Sequence, residues 1–360
     1  MKKKITVLFP NKKITLMYSF YPFWNSKFMN HFVFTNDIDW VLRKDRNEAL
    51  LIVGKILGQN NVEQHIKLFK ALRNKYKVIS FFDDYDGSES QFLFLLPYLD
   101  IYYKKQLFSD RNRYLDEFYG RRIFSDFYHK QMGVIETPLP KELPKLEDKT
   151  QLKKMRVSWN LGIGQYPASK IKVFLGKKLY SFFGANAMRH IHSQFPFSKN
   201  VPKPQLAKCQ ARFGYKGYRT TVGYQRKLFS NIVDGQPAFL SGLIPLKEYN
   251  KEIKNVQAIL SPFGWGEICF RDFEAIRNGA VMVKPTMDHI ETWPNIYQPN
   301  KTYVPISWDG NNLLETVNKL LEDSKRMNEI REYAWEELKT SYEQVDSRVE
   351  KILLEIHSMM

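Results

Sequence analysis

The sequence contains little cysteine and no long apolar run. Its two cysteines, Cys209 and Cys269, are too few for a disulfide framework, and no cluster of Cys and His has the spacing of a metal site. No stretch approaches the roughly 20 apolar residues that a membrane-spanning helix needs. The apolar run Ile5–Phe9 is too short for a signal peptide. We therefore expect a cytoplasmic protein in a reducing compartment.

Acidic residues are absent from a long central segment. Between Lys149 and Val233 there are 17 Lys and Arg and no Asp or Glu, which accounts for the whole net charge of +17. Trp159, Phe182 and Phe195 are interspersed among the cations, so this basic segment is not a disordered tail. A solvated basic face is one interpretation. The other is a surface for an anionic partner: a nucleoside diphosphate, an anionic lipid headgroup or a nucleic acid.

The length of 360 residues predicts two domains of ordinary size. Over 1–148, strand-length apolar runs alternate with helical patterns, which predicts an α/β domain with a mostly parallel sheet. The predicted strands are Ile5–Phe9, Ile14–Tyr18, Phe32–Thr35, Leu50–Val53, Val78–Phe82 and Ile101–Tyr103, and the predicted helices are Val62–Tyr76 and Gln91–Leu99. The proline-containing segment 136–149 is typical of a linker.

The second half repeats the order of strand, glycine turn and helix, so we expect a second Rossmann-like domain over 149–340. Its predicted strands are Leu206–Phe213, Ala238–Ile244, Val256–Leu260, Ala280–Val283 and Tyr303–Ile306, with a helix over Tyr218–Ile232. We expect loops and short helices over 165–205. The terminal segment 341–360 has a helical pattern and mixed charge.

The most informative stretch is 261–285. A strand ends in a turn built on Gly264 and Gly266, a helix follows and stops at Gly279, and a second strand comes next. Glycines before a helix N-terminus expose N–H groups that suit a phosphate or an oxyanion. If the helix begins at Glu267, then Glu267, Arg271 and Glu274 share one face. A surface Glu–Arg–Glu ladder is the alternative interpretation.

The run Glu274-Ala275-Ile276-Arg277-Asn278-Gly279 resembles the end of the donor-site motif of the group 1 branch of the two-domain (GT-B) glycosyltransferases, related to the CgeB-like enzymes. The resemblance implies two Rossmann-like domains facing a cleft, with C-terminal helices over 341–360 crossing back to the first domain. It places Glu274 at the ribose of a nucleotide-sugar. The first glutamate of the motif falls on Gly266, and Glu267 stands one position later. The resemblance also implies a donor site in the second domain, an acceptor site in the first, and no bound metal.

A second glycine turn, 214–221, also follows a strand and opens a helix. It offers backbone N–H groups, Lys216, Arg219 and Thr220 to a diphosphate, with Arg212 and Arg226 as weaker candidates. An ordinary basic turn is the alternative interpretation.

Three carboxylates, Asp83, Asp84 and Asp86, follow a strand of the first domain. Open α/β sheets bind ligands at that edge. A carboxylate there would act as a general base, bind an acceptor sugar or hold a cation, whereas the structural alternative is a helix cap or a turn. In the second domain, Lys284 ends the strand after the motif and is a candidate donor contact. His289 lies in the loop that follows, where it would contact the sugar or a phosphate, and a loop histidine that pairs within the protein is the alternative interpretation.

These observations predict a glycosyltransferase that moves a sugar from a nucleotide-sugar donor to a carbohydrate acceptor. The acceptor would be a surface glycan or its lipid-linked precursor, and the basic segment would hold the enzyme at an anionic membrane surface. The alternative is a nucleic-acid-binding protein that uses the basic segment. That alternative leaves 261–285 unexplained. A third interpretation is a nucleotide-sugar-binding module without activity.

Overall fold

The computed structural model describes residues 3–10, 14–58, 61–164, 170–183 and 195–360. Within these residues the strands are β1 (Ile5–Leu8), β2 (Phe32–Thr35), β3 (Ala49–Val53), β4 (Val78–Asp83), β5 (Ile101–Lys104), β6 (Gln106–Phe108), β7 (Met155–Val157), β8 (Leu206–Ala211), β9 (Phe239–Ser241), β10 (Val256–Leu260), β11 (Val281–Pro285), β12 (Ile290–Thr292) and β13 (Val304–Ile306).

The α-helices of the same residues are α1 (Ile14–Ser19), α2 (Tyr21–Asn25), α3 (Ile38–Arg43), α4 (Val62–Arg73), α5 (Ile123–Met132), α6 (Lys170–Phe183), α7 (Thr220–Val233), α8 (Leu246–Glu252), α9 (Phe270–Arg277), α10 (Leu313–Glu322), α11 (Ser324–Glu343) and α12 (Val345–His357). The predicted helix Gln91–Leu99 is a 3-10 helix over Leu93–Tyr98. Within the described ranges, no helix has the length and apolar character needed to cross a bilayer.

Two parallel sheets form the framework. The first has the strand order β2-β1-β3-β4-β5-β7, and the second has the order β13-β11-β10-β8-β9. Strands β1, β3 and β4 are buried along their whole length, because helices cover both faces of a parallel sheet. When the strands are numbered along the chain within each sheet, and the second sheet is read from β9, both sheets begin with the doubly wound order 2-1-3-4-5. The predicted pair of Rossmann-like domains is therefore confirmed.

Three segments differ from the expectations. Ile14–Tyr18 was expected to be a strand but belongs to α1, because parallel strands β1 and β2 need a crossover connection between them. Strand β7 pairs with β5, so the first sheet extends past residue 148. The region 165–205, where short helices were expected, contains the 14-residue helix α6, while 165–169 and 184–194 lie outside the described residues.

The two domains are connected by a ribbon and by the last helix. Strand β6, next to the first sheet, pairs antiparallel with β12 from the second half of the chain. Helix α12 returns to the first domain, where Glu355 accepts a hydrogen bond from the Tyr103 hydroxyl at 2.8 Å and binds the Arg156 Nε at 2.7 Å. The predicted crossing of the C-terminal helices is therefore confirmed.

Candidate active site

A cavity of about 420 Å³ lies between the carboxyl edges of the two sheets. On the first sheet it lies where the strand order reverses between β1 and β3, and on the second where it reverses between β8 and β10. Doubly wound domains bind ligands at this position. The cavity is lined by Leu16, Ser19, Lys55, Asp86, Lys105, Leu161, Tyr218, Arg226, Gly264, Trp265, Gly266, Ile268, Cys269, Phe270, Arg271 and Glu274.

The wall from the first domain carries two lysines and one carboxylate. Lys55, Asp86 and Lys105 come directly after or shortly after strands β3, β4 and β5. Lys105 Nζ lies 3.3 Å from Asp86 Oδ1, and the Asp86 side chain is 45% exposed. Burial alone would raise the pKa of Asp86, but Lys105 and Lys55 outweigh it and lower that pKa. Asp86 is therefore an ionised carboxylate that faces the cavity.

The other two predicted carboxylates of this loop are used inside the first domain. Asp83 is fully buried, forms an ion pair with Lys104 Nζ at 2.9 Å and accepts a hydrogen bond from the Tyr102 hydroxyl at 2.7 Å. Asp84 forms an ion pair with Lys55 Nζ at 3.1 Å. Burial raises the pKa of Asp84, with Lys55 opposing it. Of the three candidates, Asp86 is the one that the structure brings to the cavity.

The wall from the second domain begins at the glycine turn after β10. Gly264 and Gly266 both line the cavity. A Cβ atom at Gly266 would lie 1.7 Å from the Asp86 carbonyl oxygen, so only glycine fits where the two domains touch. Helix α9 begins at Phe270, three residues later than the sequence pattern suggested. The expected shared helical face of Glu267, Arg271 and Glu274 is therefore not formed, because Glu267 lies in the turn.

Glu267 is fully buried and joins the two domains. Its carboxylate accepts hydrogen bonds from Ser88 N at 3.1 Å, from Ser88 Oγ at 2.5 Å and from Gln106 Nε2 at 2.9 Å. His289 Nε2 lies 3.6 Å from Glu267 Oε1. Burial would raise the pKa of Glu267, but His289 and Ser88 outweigh it and hold the pKa at about 2. This geometry suits a residue that positions the two domains, and the predicted catalytic role remains a prediction.

Three charged side chains of the second domain line the cavity. Glu274 accepts a hydrogen bond from the Tyr249 hydroxyl at 2.8 Å. Arg271 Nη2 donates to the Arg212 carbonyl at 2.8 Å, and within the described ranges its buried Nε has no hydrogen-bond partner. Arg226 donates to the Phe263 and Gly214 carbonyls, so it joins the ends of β8 and β10. Each of these groups is held in place by protein contacts at the edge of the cavity.

The second glycine turn, 214–221, is closed. The Glu136 carboxylate accepts hydrogen bonds from Thr220 N at 3.0 Å and from Thr221 N at 3.1 Å, where the sequence predicted a phosphate. The Arg219 guanidinium donates to the Gly120 carbonyl, away from the cavity. Lys216 is exposed on the turn. The phosphate position at Lys216, Arg219 and Thr220 remains a prediction, and a protein carboxylate binds the start of α7.

The remaining predicted donor residues also have partners within the protein. Arg212 forms an ion pair with Glu252, with Nη2 to Oε2 at 2.8 Å. Lys284 is fully buried and lies 3.1 Å from Asp272 Oδ1. His289 is packed beside Trp308 with ring centroids 5.1 Å apart, next to Glu267. These three side chains support the cavity walls instead of lining them.

Sequence reasoning missed Lys55 and Lys105 and gave Arg226 little weight. Both lysines follow a buried strand at the carboxyl edge of a parallel sheet, and that position was the signal that could have found them. Tyr249, which binds Glu274, comes from the separate helix α8 and carried no local signal. Within the described ranges, no group of three His, Cys, Asp or Glu side chains is arranged to hold a metal ion.

No family model and no curated protein matches the chain. Three solved structures are similar over nearly the whole chain. An Anabaena HepE in complex with UDP is 10% identical, with 98% of this chain and 100% of that one covered and a TM-score of 0.46. An α-glucosyltransferase in complex with UDP is 10% identical, with 98% and 99% covered and a TM-score of 0.42. A T4 phage β-glucosyltransferase is 14% identical, with 98% and 99% covered and a TM-score of 0.41.

Because these TM-scores are below 0.5, the assignment of two Rossmann-like domains rests on the sheet order of this chain. The chemistry of the cavity likewise has to be inferred from its own residues. The charged residues that line the cavity are four cations (Lys55, Lys105, Arg226 and Arg271) and two carboxylates, one on each wall.

Proposed function

We propose that this protein is a glycosyltransferase that transfers a sugar from a nucleotide-sugar donor to a carbohydrate acceptor. The observation that carries the proposal is the charge arrangement of the cavity. Four cations converge from both domains, which suits a diphosphate. One carboxylate, Glu274, faces the cavity from the second domain, and another, Asp86, faces it from the first. The volume of about 420 Å³ is within the range of small-molecule sites.

In this proposal the donor binds to the second domain. Glu274 accepts a hydrogen bond from a ribose hydroxyl, and the Tyr249 hydroxyl holds the Glu274 carboxylate in place. Arg226 and Arg271 face the diphosphate from one wall, while Lys55 and Lys105 face it from the other. As the glycosidic bond to the diphosphate breaks, these cations stabilise the negative charge that develops on the leaving group. We therefore propose that the reaction needs no bound metal.

Asp86 would serve the acceptor. The acceptor hydroxyl oxygen forms the new bond to the anomeric carbon of the sugar, the bond from that carbon to the diphosphate oxygen breaks, and the hydroxyl proton is taken up by Asp86. Lys105, at 3.3 Å, keeps this carboxylate ionised before the reaction. The cations on the same wall then lie beside the departing diphosphate.

The finer part of the proposal concerns the acceptor and the branch of the family. We propose a group 1 or CgeB-like enzyme that extends a surface glycan or its lipid-linked precursor on the cytoplasmic face of a membrane. The motif at 274–279 supports the branch, and the cations of the basic segment 149–233 that lie outside the cavity and the ion pairs support a site of action beside anionic lipid.

The first experiment is a thermal-shift titration of the full chain with UDP, GDP, CMP, dTDP and short oligonucleotides. We expect one nucleoside diphosphate to raise the melting temperature, and the matching nucleoside to do so far less, because the cations bind the phosphates. Stabilisation by oligonucleotides alone would support the nucleic-acid-binding alternative. Stabilisation by none of the ligands would contradict the proposal.

The second experiment tests Asp86 with the nucleotide-sugar that matches the stabilising diphosphate. We expect Asp86→Asn to lower the rate of sugar transfer or donor hydrolysis by about 100-fold or more, because the variant cannot accept the proton. Donor affinity should change little. Asp83→Asn is not a suitable control because its carboxylate is buried in an ion pair, so Asp110→Asn, on an exposed loop, serves instead. Normal turnover by Asp86→Asn would contradict the assigned role.

A further inference from the structure

Helix α6 (Lys170–Phe183) exposes an apolar face. The exposed side chains follow the i, i+3, i+4 spacing that places residues on one side of a helix. They are Ile171, Phe174, Leu175, Leu179, Phe182 and Phe183. Ile171 is 71% exposed, Phe182 78% and Phe183 68%, so large apolar side chains project fully from the surface. Several large exposed apolar side chains on one helix are typical of an interaction site.

The opposite side of α6 is attached to the first domain. Gly176 and Tyr180 are buried. The Tyr180 ring lies 6.2 Å from that of Phe9 and 6.4 Å from that of Trp24. These aromatic contacts fix the orientation of the helix on the first domain. The apolar side chains therefore face outward in a defined direction.

The charge around this face decides between its possible occupants. Lys177 and Lys178 are exposed on α6, and the Lys178 ammonium lies 4.8 Å from the Phe174 ring centroid. The sequence of α6 itself contains four lysines and no Asp or Glu. A second copy of this helix would bring like charges together, whereas an anionic bilayer surface attracts them. Lysine side chains at such a surface can extend their ammonium groups toward the headgroups.

The helix is also the right kind of element for a bilayer surface. Its 14 residues extend about 21 Å, which is shorter than the hydrocarbon core of a bilayer. A short helix with one apolar face and flanking lysines lies in the plane of the interface with its apolar side chains inserted.

We propose that α6 is an interfacial membrane helix, which inserts its exposed Phe, Leu and Ile side chains into a bilayer that contains anionic lipid. This inference deepens the proposed function, on which its consequence for the acceptor rests. Phe9 also contacts Phe20, whose neighbour Ser19 lines the cavity. The same aromatic cluster therefore connects the inserted helix to the acceptor side of the cavity. An acceptor anchored in the bilayer would be presented to Asp86 from that side.

The test is co-sedimentation of the full chain with vesicles of phosphatidylcholine alone and of phosphatidylcholine with about 30% phosphatidylglycerol, at low and high salt. We expect the protein to bind the anionic vesicles and to retain part of that binding at high salt, because apolar insertion is not screened. The double variant Phe182→Ser/Phe183→Ser should bind about tenfold or more weakly. The matched control Leu354→Ser/Met359→Ser removes exposed apolar side chains on α12 and just after its end, and should bind like the wild type.

The outcomes separate this inference from the proposed function. Melting temperature and nucleotide stabilisation are measured on every variant without vesicles, so loss of the fold or of the donor site is detected independently. Wild-type binding to neither vesicle, or equal binding by the Phe182/Phe183 variant, overturns the inference. Wild-type dimers in solution that the same variant converts to monomers would assign the face to a second copy of the chain instead.

Discussion

The second domain contains two glycine turns with the same local order of strand, turn and helix but with different surroundings in the structure. Each follows a strand and precedes a helix, one at 214–221 and the other at 261–270. In the first turn, Glu136 binds the Thr220 and Thr221 amides and closes the start of α7. In the second turn, Gly264 and Gly266 line the cavity beside α9. The closed turn has a protein carboxylate at the place where the open turn faces a ligand-sized space.

The difference lies outside both turns. Glu136 is 84 residues from Thr220 in sequence and reaches it from the segment that connects the two domains. A helix N-terminus attracts any nearby carboxylate, whether it belongs to a ligand or to the protein. Two turns with equal local propensity to bind a phosphate can therefore be told apart only by the tertiary contacts that bring, or do not bring, such a carboxylate.

The largest expected effect comes from adding one methyl group to the open turn, and the same addition to the closed turn serves as the control. Gly266→Ala would place a Cβ 1.7 Å from the Asp86 carbonyl, so the two domains must separate locally. We expect a loss of about 2 kcal/mol or more in unfolding free energy and little remaining transferase activity. Gly217→Ala, in the closed turn, meets nothing within 4 Å and has a φ of +86°, so only backbone strain of about 1 kcal/mol is expected.

Denaturant unfolding and donor turnover of both variants check this expectation. Equal stability and activity of the two variants would mean that the open turn does not hold the domains together.

The next largest effect concerns donor affinity. Glu274→Ala removes the carboxylate that we assign to the ribose, and we expect donor binding to weaken about 10- to 100-fold. Tyr249→Phe, which removes the hydroxyl that holds Glu274, should weaken it less. Lys216→Ala, on the closed turn, should change it less than about twofold, since this side chain is exposed to solvent away from the cavity. Isothermal titration with the nucleoside diphosphate measures all three, and a Lys216 effect as large as that of Glu274 would contradict the comparison.

A smaller effect is expected from pH. Glu89 accepts a hydrogen bond from Ile123 N at 2.5 Å, and burial together with the Glu267 carboxylate raises its pKa from 4.5 to about 7, with Arg122 opposing the shift. The folded state therefore binds more protons than the unfolded state between these values, so this group's stabilising contribution is present below about pH 4.5 and is lost as pH rises through about 7. We expect the melting temperature to fall by a few degrees over that window.

Glu89→Gln isolates this effect, because the amide cannot ionise. The variant should lose the fall in melting temperature that the wild type shows as pH rises. Glu63→Gln, on the exposed side of α4, should keep it. The same slope in wild type and Glu89→Gln would assign the pH dependence to another group.

Much of the fold followed from the sequence because its signals are local. Val78–Phe82 and Val256–Leu260 are short apolar runs at the centre of parallel sheets, and both were placed within one residue of the observed strands. Ile14–Tyr18 is just as apolar but lies on a crossover, and its own residues do not encode that position. In the site, the glycine turn predicted Gly264 and Gly266, the family resemblance predicted Glu274, and all three line the cavity. Lys55 and Lys105 were not predicted, because their role depends on which strand ends the topology brings together.

The smallest expected effect on donor binding is at the closed turn itself. Glu136→Gln keeps the shape of the side chain and one oxygen acceptor but removes the charge that complements the start of α7. A charge at a helix N-terminus contributes about 0.3 to 1 kcal/mol, and more when it is partly buried, so the melting temperature should fall slightly while donor affinity stays unchanged.

Glu136→Ala goes further, because it uncovers the Thr220 and Thr221 amides. If the closed turn binds phosphate as well as the open turn once its carboxylate is gone, pyrophosphate will stabilise Glu136→Ala more than it stabilises the wild type. Equal stabilisation of both proteins would mean that the two turns differ in more than their occupant, and that the cations around Gly264 and Gly266 are what makes the open turn a site.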